Sequence, residues 1–412
     1  VSHFLDDYFA ALQRFGIRPG LERVRALLHS AGNPEQKFPA VLVGGTNGKG
    51  STCEFLARGF SASRRIGLYT SPHLNRWNER IRIVENGDAS PQSGKISDTE
   101  LETLLREAAP HLEAVTKVHG TPTEFETLTF LGFWHFARQN VDAAVVEVGL
   151  GGKWDATNVC EPLVSVVTHV ALDHCDRLGN TLEEIAADKI YIARPNRVCV
   201  TAETKPEVLR VFQEHCDAIG AHLQQISTVE FREPHEVQAD TSTVPHWQQL
   251  NARTAAAAAR ALETALGWPH SEENISLAVA GRAEIVRQNP TVLLDGANNP
   301  DGALRLAEYL RAAFPNRRII FVAGMSADKD FRAMLRIWRE VASRFITTQA
   351  QHPRAAGAEE LAQTPELTDA VVEAIPDVRG AVARALQLAT PNDVIVVSGS
   401  FFVLSEVERN AL

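Results

Sequence analysis

The stretch Ala40-Val41-Leu42-Val43-Gly44-Gly45-Thr46-Asn47-Gly48-Lys49-Gly50-Ser51-Thr52 decides how the rest of the chain is read. Its first four residues are an apolar, β-rich run. A glycine-rich turn follows, and then a helical pattern over Ser51–Ser61. Glycines let a backbone turn tightly and aim its N–H groups at phosphate oxygens. The helix N-terminus behind them adds partial positive charge, and a lysine neutralises terminal phosphates. The turn departs from the strict Walker spacing twice: Val43 sits where the first glycine belongs, and Gly50 separates Lys49 from Ser51. Strand, glycines, lysine, hydroxyls and helix nevertheless come in the order a nucleotide's phosphates require.

Working outward, β-rich runs alternate with helical patterns, which predicts parallel sheets covered by helices. Ala40–Val43, Ile66–Thr70, Ala143–Val148, Leu163–Val170 and Arg197–Thr201 read as strands, with helices over Glu126–Gln139 and Thr181–Ala193. After an Ala-rich helix over Asn251–Leu266, a second strand series opens at Thr291 and continues at Ile319–Ala323, Phe345–Thr348 and Asp393–Ser398. The expected fold is α/β. A P-loop-type, mostly parallel sheet domain spans 1–281, a linker 282–290, and a smaller Rossmann-like α/β domain 291–412.

The bulk composition bounds the function. With 41 basic against 51 acidic residues the formal charge is −10, so neither nucleic acid nor an anionic membrane is an expected partner. The apolar fraction, 44%, is that of an ordinary globular protein. No apolar run approaches a membrane span, and Val1-Ser2-His3-Phe4 does not read as a signal peptide. The five scattered cysteines read as reduced thiols of a cytoplasmic protein.

Further polar residues fall at strand ends, where open α/β sheets hold their ligands. Ser71 follows the second strand, Glu147 closes Ala143–Val148, His174 lies just past Leu163–Val170, and Lys189 is on the next helix. A charged glutamate in an apolar strand is costly unless paired or holding a metal. A hydroxyl, a carboxylate and an imidazole beside phosphates make a shell for magnesium. Taken singly, Glu147 also reads as half of an ion pair, and His174 as a hydrogen-bonded surface residue.

Together the segments GGTNGKGST (44–52), YTSPHL (69–74), TEFE (123–126), VEVGLGGKWDATNV (146–159), HVALDH (169–174), LGNTLEEIAADK (178–189), LDGANNPDG (294–302) and SADKDF (326–331) resemble the folylpolyglutamate synthase/dihydrofolate synthase family of Mur-ligase-like enzymes. The resemblance runs from about Gly20 to Phe402, in the family's order.

It implies a Mg·ATP-dependent ligase that activates a folate or dihydropteroate carboxylate as an acyl phosphate and joins it to L-glutamate. ATP and Mg2+ are the implied cofactors, and a monomer the implied state. The resemblance puts Gly45, Thr46, Asn47, Gly48, Lys49, Gly50, Ser51 and Thr52 on the ATP phosphates. Asn251, Arg282, Asp295 and Asn298 supply further nucleotide contacts. Ser71, Glu147 and His174 match the ligands of a first magnesium, and Lys189 matches a lysine carbamylated beside a second. Lys49, Glu147, His174 and Lys189 form the implied catalytic set.

Phe125 and Asp155 match residues flanking the pterin. Their alternatives are a core phenylalanine and a loop-capping aspartate.

Two departures stand out. Ile190-Tyr191-Ile192 replaces the family's Ala-Gly-Ile after the lysine, and Asn298 replaces a histidine in Asp-Gly-Ala-His-Asn-Pro. Rival readings are a Mur-type ligase acting on another acid, and a P-loop ATPase switch without ligation.

Overall fold

The computed structural model describes residues 3–87, 93–226, 244–270, 277–409 and 412. The chain divides into two compact units, Val1–Leu277 and Ala278–Leu412.

The first unit holds seven strands: β1 (Ala40–Gly44), β2 (Ile66–Tyr69), β3 (Ile81–Val84), β4 (Ala143–Glu147), β5 (Val164–Val167), β6 (Val198–Thr201) and β7 (His222–Gln225). They form one sheet in the order β3-β2-β4-β1-β5-β6-β7, parallel except for β3. β1, β4 and β5 are buried along their whole length. This is why they read as mostly apolar runs, with Ser165 and Glu147 the exceptions: helices cover both faces of a parallel sheet. Register does the positioning. Val43 lies opposite Glu147, and Gly44 opposite Val167. The turn after β1 therefore opens between the ends of β4 and β5. The chain leaves β1 towards β2 on one side and leaves β5 towards β6 on the other, which makes a crevice at the strands' carboxyl ends.

Local signals set the helices. Thr123 and Glu126 form a reciprocal capping box that starts the helix Glu124–Arg138, and Thr181 with Glu184 does the same for Leu182–Lys189. The TEFE segment is thus first a helix start. Its Glu126 also meets Arg23 at 2.9 Å, which ties the Glu22–Ser30 helix to it.

The second unit holds β8 (Glu284–Arg287), β9 (Thr291–Asp295), β10 (Ile319–Ala323), β11 (Arg344–Thr347), β12 (Val372–Ala374) and β13 (Val394–Ser398). Their order is β12-β11-β10-β13-β9-β8, with β8 antiparallel to β9. The segment expected to be a linker, 282–290, therefore belongs to this unit and carries its edge strand. Only Ile285 and Val286 are apolar there, so no sequence pattern marks a strand. Pairing with β9 makes it one.

Candidate functional site

Two glycines of the turn after β1 have backbone conformations that side chains rarely adopt. Gly45 has φ +137°, and a Cβ there would overlap Thr168 Oγ1. Gly48 has φ +93°, and a Cβ there would overlap Asn251 Oδ1. Gly48 is the N-cap of the helix Lys49–Phe60. Asn251 is buried on the helix His246–Leu266, and its Oδ1 lies against the turn at Gly48. Thr46 N–H donates to His169 O at 2.6 Å, and Thr168 Oγ1 donates to Asn47 O at 2.8 Å. The loop after β5 thus grips the turn, a feature that local sequence pattern does not reveal.

Two lysines converge on one carbonyl. Lys49 Nζ donates to Gly45 O and Thr46 O, both at 3.2 Å. Lys189 Nζ donates to Gly45 O at 3.0 Å from 144 residues away. Lys189 is 3% exposed. Burial, and then the neighbouring Lys49 charge, lower its pKa to about 7, because desolvation and a like charge both disfavour an ammonium. The departure Ile190-Tyr191-Ile192 is absorbed by packing. Both isoleucines are buried in a short 3-10 turn, and Ile192 Cδ1 lies 3.0 Å from where a Cβ on Gly44 would stand.

Glu147, 4% exposed, accepts Ser71 N–H at 2.9 Å. It faces Gly50, whose missing Cβ would stand 3.5 Å from Glu147 Oε2. Ser71, Glu147 and the turn are therefore brought together, and a side chain at position 50 would fill the space beside the carboxylate. His174 caps a short helix at φ +52°. It is half-exposed, with its backbone N–H bound to Asp173 Oδ1 at 2.9 Å.

Among the described residues no three His, Cys, Asp or Glu side chains gather into a metal cage. A divalent ion beside Glu147 would need the Ser71 hydroxyl, phosphate oxygens or water as well. Carboxylate and hydroxyl oxygens suit a hard ion such as magnesium, which keeps much of its shell as water and phosphate.

Phe125 is half-buried. Its ring covers Gly149, where a Cβ would come 2.6 Å from Phe125 Cζ, and lies 6.1 Å from the Tyr69 ring. Asp155, 6% exposed, adopts the loop-capping alternative. It accepts Leu150 N–H at 2.9 Å, Thr157 N–H at 3.0 Å and the Thr157 hydroxyl at 2.5 Å. Burial pushes its pKa up.

The sequence reading passes over Gln248. It is 1% exposed, and its Oε1 accepts Asn251 Nδ2–H at 3.0 Å. Its own Nε2 has no hydrogen-bond partner. A buried amide one helical turn before Asn251 is the signal that could have found it.

The remaining candidates lie in the second unit. Asp295 ends β9, 5% exposed, and accepts Ala283 N–H at 2.8 Å and Ala297 N–H at 2.9 Å. Burial raises its pKa, while the Arg282 charge opposes the rise. The Arg282 guanidinium sits 4.5 Å from the centre of the Phe401 ring. Asn298 is half-buried, and the next residue, Asn299, caps the helix Pro300–Ala313 by accepting Gly302 N–H at 2.8 Å.

A parallel-sheet unit with a glycine-lysine phosphate turn, followed by a second α/β unit, defines a Mur-type ligase. The Mur ligase middle domain matches residues 43–219, and the Mur ligase glutamate ligase domain matches 281–401. The chain is 32% identical to the dihydrofolate synthase/folylpolyglutamate synthase of Bacillus subtilis, over 96% of each chain. A solved structure of E. coli FolC in complex with DHPP and ADP superposes with TM-score 0.85 and 30% identity. It covers 99% of this chain and 97% of that one. The bifunctional enzyme of Yersinia pestis, complexed with AMPPNP and Mn ion, gives TM-score 0.84 and 28% identity, covering 99% of this chain and 97% of that one. This chain belongs to the folylpolyglutamate synthase/dihydrofolate synthase family.

Proposed function

We propose that this protein uses ATP to ligate L-glutamate to the carboxylate of a folate, and also of dihydropteroate. The observation that carries the reading is the convergence of Lys49 and Lys189 on the Gly45 carbonyl, at the mouth of a glycine turn that also faces the buried Glu147. That is a cationic, N–H-lined cradle with a carboxylate beside it, as a metal-bound triphosphate needs.

The substrate carboxylate oxygen attacks the γ-phosphorus, and ADP leaves. The α-amine of glutamate then attacks the acyl-phosphate carbon, phosphate departs, and the amine proton is lost to give the amide. Lys49, once drawn off its loop carbonyls, neutralises the phosphates while the turn's N–H groups orient them. Ser71, Glu147 and His174 would hold a magnesium ion, which supplies charge neutralisation on the phosphate oxygens when bound. Lys189, with a pKa near 7, keeps a substantial neutral fraction at physiological pH. The neutral amine is the form that adds CO2, so the residue suits carbamylation.

Phe125 would offer a flat face to the pterin, with Asp155 holding the loop beside it. We assign Arg282, Asp295 and Asn298 to the nucleotide. Asn298 has no ionisable group, so it acts there by hydrogen bonding. No described helix is long and apolar enough to cross a membrane, and all five cysteines are free. Free thiols suit a reducing compartment, and we assign the protein to the cytoplasm as a monomer.

ADP release measured with Mg·ATP and L-glutamate tests the reading. Stimulation by both dihydropteroate and tetrahydrofolate is expected. Stimulation by tetrahydrofolate alone restricts the activity to tail extension, and stimulation by neither overturns the proposal.

A further inference from the structure

Behind the phosphate turn lies a buried carboxylate to which no role has yet been given. Glu203 follows β6, and its side chain is wholly buried. One oxygen accepts Val170 N–H at 2.8 Å. The other accepts Thr204 N–H at 2.8 Å and Lys205 N–H at 3.1 Å. His169 Nδ1 lies 3.4 Å from the first oxygen, and Lys205 Nζ 3.4 Å from the second. Lys205 Nζ also donates to Val170 O at 2.9 Å. Both polar groups of the Val170 backbone are thus held by this pair. Burial opposes the charge on Glu203, but these donors and the His169 ring outweigh it and hold the pKa down near 2.

The segment so held is the one that grips the phosphate turn. His169 O takes Thr46 N–H at 2.6 Å. Ala171 exchanges bonds with Thr46: its O accepts the Thr46 hydroxyl and its N–H donates to that hydroxyl, both at 3.1 Å. His169 also bridges Asn47 in antiparallel fashion. Every strut from the β5 loop to Thr46 comes from a residue that is Val170 or its immediate neighbour. An anion cradle gains affinity when its N–H groups are fixed before the ligand arrives.

We propose that Glu203 is a positioning residue for the nucleotide. Through Val170 it sets the height at which the β5 loop holds Thr46 and Asn47, and so the aim of the phosphate-binding N–H groups, without touching the nucleotide. This rests on the reading of residues 44–52 as the phosphate site.

The test is equilibrium binding of Mg·AMPPNP to the full chain, together with KM values for ATP and L-glutamate. Glu203→Gln keeps the size but replaces one acceptor oxygen by a donor facing N–H groups. It is expected to weaken Mg·AMPPNP and raise KM for ATP about tenfold, with KM for L-glutamate unchanged. Combined with Thr46→Val it should give less than the product of the two single losses, because both break one connection.

Wild-type nucleotide affinity in Glu203→Gln, or a rise in both KM values together, overturns the proposal while leaving the phosphate site intact. Unimpaired binding by Lys49→Ala would instead overturn the phosphate-site reading and the proposal with it. If Glu203→Gln does not fold, Lys205→Met carries the test. It removes the half-exposed donor to Val170 O, and a loss of about threefold is expected against none if Val170 is not the strut.

Discussion

In each sheet a strand runs through a glycine turn into a helix, and the turns after β1 and after β9 are built differently. After β1, Gly45–Lys49 is held from outside: Thr168, His169 and Ala171 grip its backbone, and two lysines lie over its carbonyls. After β9, Asp295–Asn299 is held partly by its own side chains and partly by the segment before β8, where Gly281 O takes Gly296 N–H and Ala283 N–H meets Asp295. Asp295 accepts the N–H of Ala297, and Asn299 caps the helix that follows. The first turn has its carbonyls covered by ammonium groups. The second engages its carboxylate with backbone N–H groups. Shared topology thus yields two differently held turns, and the difference lies in which groups satisfy the backbone.

Lys49→Ala should break the comparison most severely by removing the charge that makes the first turn a cradle. ADP release in the presence of folate and glutamate should fall by about a thousandfold or more, with an unchanged circular dichroism spectrum. Glu147→Gln keeps the shape but removes the buried charge beside Gly50. Its magnesium titration should shift to about ten- to a hundredfold higher concentration, and an unmoved titration would take Glu147 out of the metal shell.

Lys189→Met probes the cost of the second lysine. The folded protein binds this proton less tightly than the unfolded chain, whose ordinary lysine pKa is 10.5. Unfolding therefore takes up a proton between about pH 7 and that value, and stability rises with pH across the window. Below about pH 7 the penalty is complete. In CO2-free buffer the variant should lose this slope and be no less stable than wild type at pH 7. A slope unchanged in denaturant melts would assign it to another group.

On the second turn, Asp295→Asn turns one acceptor into a donor facing a backbone N–H. It should cost about 1–3 kcal/mol in chemical denaturation. Asn299→Ala removes the helix cap and should cost about 1 kcal/mol. A large loss of nucleotide binding in either, beyond the loss of stability, would show that the second turn does more than satisfy its backbone.

The strands legible in advance were the buried ones. β1, β2, β4, β5, β6, β9, β10, β11 and β13 were read as strands from mostly apolar runs, which covered faces require. The edge strands β7 (His-Leu-Gln-Gln) and β12 (Val-Glu-Ala) have no such run. Nor does β8, whose strand state comes from β9. In the candidate site, the glycine-lysine turn with Gly45, Gly48 and Lys49 was readable because it is contiguous in sequence. Asp155 shows the limit. Its residue type offered a pterin contact and a loop cap, and the capping bonds became visible only with Leu150 and Thr157 in place.

What the sequence by itself determined is therefore what depends on neighbours along the chain: the alternation of buried strands and capped helices, the glycine-lysine turn, and the family these segments mark. Only the tertiary structure decided which distant groups meet. It set Lys189 on Gly45 across 144 residues, Ser71 against Glu147, and Glu203 under Val170. Such contacts follow no periodicity. They are fixed by sheet order and register, which arise from burying the whole core at once.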